Sequence, residues 1–354
     1  MLTLSQATSE SRAILKWGAV ILSVLFLIMV LVRVGFILRD KYFPKAPPPP
    51  TISFGKITPV TFPDNVSDKS FNYSLDTISG ELPQFPDRIN VHKISKPLPD
   101  LLALQKAKSK ISGAGFTSQE IAVSPEVYQW NQPANSDSNI SLDRSLKMDI
   151  LSSNFTLSSN FISDPVVSSS ANLNDTNTAI GSAQNFLTLM SSFPGDIDLA
   201  KTKTFLFSIK DNTLTSAPSV SGSQVIEVDF FQKDVDNLSI YYPKAVNSTI
   251  SVLVVGGRNQ PQIAQVNYSH QNISDESSTY PIKTAKQAFD ELKQGKGYIA
   301  SYFGTSEDIS IKNVFPGYYL GDKKQDYLIP VAVFQGDNGF FAYVPLLTDE
   351  WTSK

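Results

Sequence analysis

From Trp17 to Leu38 the chain is apolar at almost every position, and it never is again for so long. As a helix those 22 residues span about 33 Å, enough for a hydrocarbon core of roughly 30 Å. The run is too long for the apolar core of a cleaved signal peptide, and no small-residue cleavage site follows it. It therefore predicts a retained transmembrane anchor, with residues 14–38 in the membrane. Trp17 and Leu38 bound the span, and Trp17 suits an interfacial anchor. Arg33 lies close enough to the end for its guanidinium to reach the headgroups.

Beyond the anchor the pattern changes to short amphipathic stretches. Ala46 to Pro50 is proline-rich and predicts a semi-rigid spacer, and Thr51 to Pro99 reads as extended chain with one clear strand at Arg88 to Ile94. Helical spacing then marks Leu98 to Ser112, Thr178 to Ser192 and Ile282 to Gln294. After the first come strand-like segments at Gln119 to Trp130, Arg144 to Leu151 and Phe155 to Ile162. After the second they lie at Lys203 to Ile209, Gln224 to Gln232, Thr249 to Val255 and Gln262 to Tyr268. The third precedes Ile309 to Phe315, Asp326 to Phe334 and Gly339 to Leu346. Turn signals at Gly256-Gly257 and Asp337-Asn338-Gly339 imply antiparallel pairing.

The expected fold is α+β: an N-terminal transmembrane helix followed by repeated helix-plus-antiparallel-sheet units. The divisions are 1–45 for tail and anchor, 46–99 for spacer and extended segment, and 100–175, 176–275 and 276–354 for three units. The polar tract Ser168 to Asn177 would separate two lobes.

Charge and composition narrow the setting. Arg12, Lys16, Arg33, Arg39, Lys41 and Lys45 against Glu10 and Asp40 give residues 1–45 a charge of +4, leaving −7 of the net −3 to the rest. An acidic domain of this kind is no electrostatic nucleic-acid binder. With no cysteine in the chain, disulfides, thiolate metal sites and cysteine nucleophiles are excluded. Read literally, the basic residues after the span would hold the large domain in the cytoplasm. The signal-anchor layout, the charge-independent translocation of long domains and the Ser/Thr/Asn-rich composition favour an extracytoplasmic domain, and the lack of cysteine in an exported domain of this size favours a bacterial source. Asn-x-Ser/Thr triplets recur, as chance produces in such a composition.

Candidate chemistry is sparse. His92 and His270 are the only histidines. His92 falls in a strand and reads as an exposed or edge position. His270, in a polar loop with Asp275 and Glu276, lacks the second histidine that a zinc site calls for. Asp234-Val235-Asp236-Asn237 begins like a calcium loop but has no glycine or closing glutamate at the required spacing, so it reads as a solvated turn. No catalytic, metal or cofactor site is expected. Aromatics crowd the C-terminal unit, and most of them belong to its core. Strand alternation puts Phe341 and Tyr343 on one face and Phe340 on the other. Alternation puts some of these aromatics on the face that the helix does not cover; if that face is open a partner can use it, and Tyr318, Tyr319, Phe341 and Tyr343 are the candidates.

The order Tyr280-Pro281-Ile282, Ala285, Ala288, Phe289, Leu292, Gly295, then Gly317-Tyr318-Tyr319 and Tyr327 to Phe334, resembles the C-terminal part of YycH/YycI-type proteins and, more loosely, PepSY-like domains. Val228 to Gln232 with Ile240 to Pro243 extends the resemblance, which covers residues 224–347. It implies an envelope protein with one transmembrane helix and an α+β domain that modulates a membrane histidine kinase, and it brings no catalytic residues. The expected function is thus a non-enzymatic binding or regulatory module acting on another envelope or membrane protein. The alternatives are an anchored cell-wall-active enzyme and a surface adhesin.

Overall fold

A computed structural model describes residue 17 and residues 22–35, 49–66, 70–135, 142–169, 173 and 175–353. Trp17 is helical and exposed, and residues 22–35 form an exposed helix (α1) that includes Arg33. The rest of the anticipated anchor, Leu38 among it, lies outside the described residues. Among the described residues no helix is long and apolar enough to cross a membrane. Residues 1–49 and 50–354 are separate units, and the second holds two sheets.

The first two expected helix-and-strand units share one sheet. β3 (Ile121–Ala122), β4 (Val127–Gln132), β5 (Arg144–Asp149) and β6 (Phe155–Ser159) form one half. The other half holds β12 (Gln262–Tyr268), β11 (Ile250–Val255), β9 (Val225–Gln232), β7 (Ile197–Lys210) and β8 (Thr213–Ser216). The order is β3-β4-β5-β6-β12-β11-β9-β7-β8, antiparallel throughout. The join is β6 against β12, where Val266 faces Leu157 and the rings of Phe155 and Tyr268 stack at 5.0 Å. The stretch expected as one strand from Gln119 to Trp130 is a hairpin, because Ser124, Pro125 and Glu126 make a turn, in which Ser124 Oγ accepts the Val127 amide at 3.1 Å.

One face of this sheet packs on α2 (Ala103–Ser112) and α4 (Thr176–Leu189). Ala107 and Ile111 of α2 and Ala179, Ala183, Phe186 and Leu187 of α4 meet Trp130, Leu146, Leu157, Val228 and Val252. Helix α2 starts at Ala103, later than its periodicity suggests, because Pro97 and Pro99 interrupt the pattern and the Asp100 carboxylate accepts the Leu102 amide at 2.9 Å. Asp175 caps α4 through the Thr178 amide at 2.7 Å. The short α3 (Pro165–Ser169) contributes Val167 to a separate apolar cluster with Val225, Leu253 and Val255. The described part of the 168–177 tract connects strands of one sheet.

The opposite face carries a polar row in strict register: Lys203, Asp229, Ser251, Asn267, Thr156, Lys147 and Gln129. Asp229 is fully buried in it. Its Oδ2 accepts from the Ser248 amide at 2.9 Å and from Asn247 Nδ2 at 3.0 Å, whereas Oδ1 has no partner within hydrogen-bonding distance among the described residues. Burial, helped by the like charge of Glu227, pushes this carboxyl up to about 7.

The second sheet is built on β15 (Asp308–Tyr319), β16 (Tyr327–Gly336), β17 (Phe341–Pro345) and β14 (Tyr298–Ser301), each antiparallel to the next. The free edge of β15 takes two short parallel strands, β1 (Asn72–Leu75) at one end and β10 (Ile240–Tyr241) at the other. Strand β2 (Arg88–Ile94) runs between β16 and β13 (Ile273–Pro281). The segment read as extended chain is therefore part of the C-terminal sheet. Helix α5 (Ala285–Lys293) covers one face through Ala285, Ala288, Phe289 and Leu292, and starts at a Thr284/Gln287 capping box. Asn338 and Gly339 both have positive φ, 53° and 67°, in the turn between β16 and β17.

The other face of this sheet lies under residues 51–66, which add no strand of their own. Ile57 is fully buried and bridges Thr352; Phe62 stacks on Tyr298 at 5.0 Å and meets Tyr319 edge-on at 4.7 Å.

A buried carboxyl whose folded pKa lies above its unfolded value is most stabilising when protonated. Its contribution is complete below the ordinary carboxylate range and is lost as the pH rises through about 7. Thermal or chemical denaturation of the wild-type protein should therefore lose about 1 kcal/mol between pH 6 and pH 8 from this group. Asp229→Asn should flatten that part of the profile.

Candidate functional site

Four connections cross between the two sheets or face each other at their junction, and they surround a cleft of about 670 Å³. Ser95 to Pro97 continue β2 along one side, and the β5–β6 hairpin, from Asp149 through Ser152 to Asn154, forms the opposite wall. Asp322, Lys324 and Gln325 close one end. Ser269 to Asn272, the passage from β12 to β13, form the floor.

The floor is held residue by residue. Ser269 Oγ donates to the Asp322 carbonyl at 3.2 Å, and the His270 amide donates to Asn154 Oδ1 at 3.0 Å. Gln271 Nε2 donates to the carbonyls of Gly321 at 2.9 Å and Lys323 at 3.2 Å, while its Oε1 accepts the Gln325 amide at 3.0 Å. The Asn272 carbonyl accepts the Ser95 amide at 2.8 Å. Alternate residues thus bind loop 321–325, the hairpin and the end of β2. The hairpin is pre-shaped, since Asp149 Oδ1 accepts the amides of Leu151 and Ser152, both at 2.9 Å.

His270 is held from behind. Its Nε2 lies 2.9 and 3.1 Å from the two oxygens of Asp196, whose Oδ2 also accepts from Gln232 Nε2 at 2.8 Å. Burial pushes the Asp196 carboxyl up, but the His270 and Gln232 bonds outweigh it and hold the group below its ordinary value. The second histidine is paired in the same way. His92 Nε2 lies 2.8 Å from Asp236 Oδ2, which also accepts from Asn90 Nδ2 at 2.8 Å and from the Tyr318 hydroxyl at 3.3 Å. Burial again acts upward on Asp236, and the bonds from His92, Asn90 and Tyr318 leave it lowered. Each histidine ties strand or crossing to the flank of β9, one pair before its paired strand β7 and one after β9 itself.

Several expectations change here. His92 is buried in a strand with neighbours on both sides, not at an edge. The 234–237 segment is a turn with positive φ at Asp236 and Asn237, but it is not simply solvated: Asp234 pairs with Lys201 and Asp236 with His92. His270 turns to Asp196, while Glu276 pairs with Lys93 at 2.6 Å. Among the described residues no group of three metal-ligating side chains comes together. The partner-binding set is corrected: Tyr318, Tyr319 and Tyr343 are fully buried and offer no side-chain surface, and Phe341 is half-buried. Phe341 and Tyr343 do share a face, opposite Phe340, but residues 51–66 already cover it.

The cleft brings charges of both signs to its rim, Lys96, Lys147 and Lys324 against Glu126, Asp149 and Asp322. Lys147 and Thr156 belong to the polar row of the nine-stranded sheet, so the cleft opens onto that face. Such a lining suits an extended polar or charged segment more than a small apolar ligand. Sequence patterning could not find it, because Asp196, Gln232, Asn154 and Gln271 come from separate connections and share no spacing motif. The polar cluster around His270 was the only local signal.

No family model matches the chain, and no curated protein matches it. Among solved structures it is similar to an uncharacterized protein from Eubacterium rectale ATCC 33656, at 12% identity over 82% of this chain and 93% of that one, with a TM-score of 0.36. It is also similar to the Bacillus megaterium YpeB C-terminal domain, at 10% identity over 73% of this chain and 97% of that one, with a TM-score of 0.31. Likeness at this level carries no argument about what this chain does.

The lowered Asp196 and Asp236 carboxyls contribute stability that is complete above the ordinary carboxylate pKa and is lost as the pH falls through their folded values. Asp196→Asn should therefore lower stability at pH 7 by about 1–3 kcal/mol and weaken its dependence on pH between 6 and 3. Denaturant melts at the two ends of that range check both effects.

Proposed function

We propose that this chain is a single-pass, membrane-anchored, extracytoplasmic binding module that acts on another envelope or membrane protein without enzymatic chemistry of its own. The mixed-charge cleft at the junction of the two sheets supports this reading most directly. Its walls come from both sheets, and its floor is fixed by the Ser269–Asn272 bonds, so a bound segment meets a preformed surface and little ordering is needed on this side. The apolar run over 14–38 supplies the anchor in this proposal, and the proline-rich 46–50 segment separates it from the domain.

A second reading, an anchored cell-wall-active enzyme, draws on His270, which lines the cleft and is oriented by Asp196. The binding reading is favoured because the cleft hydroxyl nearest in sequence, Ser269 Oγ, donates to the Asp322 carbonyl and not to the histidine.

A photo-crosslinking residue placed at Lys147, in the cleft wall, should yield a discrete adduct with one membrane or envelope protein in intact cells. The same residue at exposed Lys210 should not. Protease added outside the cells should remove the domain. Identical adducts from both positions, or none from Lys147, would contradict the binding role, and a fully protected domain would contradict the topology.

A further inference from the structure

We infer that residues 51–62 are an exchangeable strap, an in-cis occupant of the aromatic face of the C-terminal sheet that the same segment of a second copy of this chain can replace. The face under it is large and apolar: Tyr298, Tyr319, Tyr343, Val331 and Val333 form one buried cluster, and Tyr280, Ile329 and Leu347 another. Left bare, it would be an apolar patch of the sort that soluble surfaces avoid. The strap shows what fills it, an extended segment interrupted by Pro59 whose Phe54, Ile57, Val60 and Phe62 lie on the rings.

Its attachment differs from that of every strand in the sheet. No ladder forms. Backbone-to-backbone bonds are scattered: Ile52 N to Thr279 O at 3.2 Å, Ile57 N to Trp351 O at 2.8 Å and Ser353 N to Ile57 O at 2.9 Å, while the amides of Thr51, Ser53 and Phe54 donate to the hydroxyls of Thr279, Ser278 and Tyr280 at 2.9, 2.7 and 3.1 Å. Between these points side chains hold it, with Phe62 on Tyr298 and Tyr319, Phe54 on Tyr327 at 5.4 Å, and the Tyr280 hydroxyl donating to the Gly55 carbonyl at 2.9 Å. Of the apolar strap residues only Ile57 is fully buried, and the rest are half-buried. A segment without ladder bonds and with partial burial opens at lower free energy than the strands beneath it.

Exchange conserves the interactions. A strap from a second copy restores every contact that the first one loses, so cis and trans forms differ mainly in effective concentration. The strap also directly follows the proline-rich 46–50 segment, which gives it reach away from its own domain. The surface thus fits one partner in particular, another copy of the same chain, and its recognition chemistry is an extended apolar segment broken by proline. This inference concerns the face opposite α5 and does not depend on the cleft or its partner.

The absence of cysteine gives a clean test. Thr51 Oγ1 lies 3.3 Å from Thr279 Oγ1, so sulfurs in those places are within reach of a disulfide after a small shift. Full-length Thr51→Cys and Thr279→Cys variants, carrying different tags, are co-expressed and oxidised. The expected product is the mixed disulfide between the two variants, severalfold above either homodimer. The Thr51→Cys/Thr279→Cys double variant, expressed alone, should close mainly within its own chain. A mixed product no greater than the homodimers overturns the inference. So does a double variant that stays reduced, because the strap would then not sit on Thr279.

Discussion

Four consecutive residues, Ser269 to Asn272, carry the chain from one sheet to the other, and the arrangement of everything around them depends on their hydrogen bonds. A crossing between two sheets cannot use ladder bonds, so its backbone and side-chain polar groups need other partners. Gln271 is the centre of this solution: buried, it satisfies both its donor and its acceptor on loop 321–325. The residues on either side reach the opposite way, to Asn154 and to Ser95. A buried amide with its partners in place fixes one arrangement, because any other would strand polar atoms away from water. The cleft is the space this arrangement leaves.

The two histidine–aspartate pairs extend the same logic outward. Both carboxylates are lowered by the groups around them, and both histidines are nearly shut off from solvent. Asp229 shows the contrary case, a carboxyl with one oxygen left unpartnered, which burial drives toward the protonated form. The difference is the supply of donors: Asp196 and Asp236 meet imidazole and amide groups, whereas Oδ1 of Asp229 meets none among the described residues.

Much of the α+β architecture was legible in the chain. The periodic stretches Leu98 to Ser112, Thr178 to Ser192 and Ile282 to Gln294 each hold a helix, and alternation located strands such as Arg88–Ile94 and Gln262–Tyr268. The merger of the first two repeats into one sheet was not legible, since the β6–β12 pairing joins strands more than a hundred residues apart and leaves no local mark. Nor was the fate of the aromatic face. Alternation correctly put Phe341 and Tyr343 together, but a covering segment without strand or helix periodicity, such as 51–66, gives no sign of what it covers. The cleft failed to show for a related reason, its polar groups being drawn from connections instead of repeating elements.

Native-state hydrogen exchange at the crossing tests this account most directly. The amides of Ser95, His270 and Gln325, each bonded across the junction, should be protected to nearly the same free energy as the central strands β9 and β11 and exchange only with global unfolding. Exchange of these three amides at the rate of an open surface loop, while the strands stay protected, would contradict it.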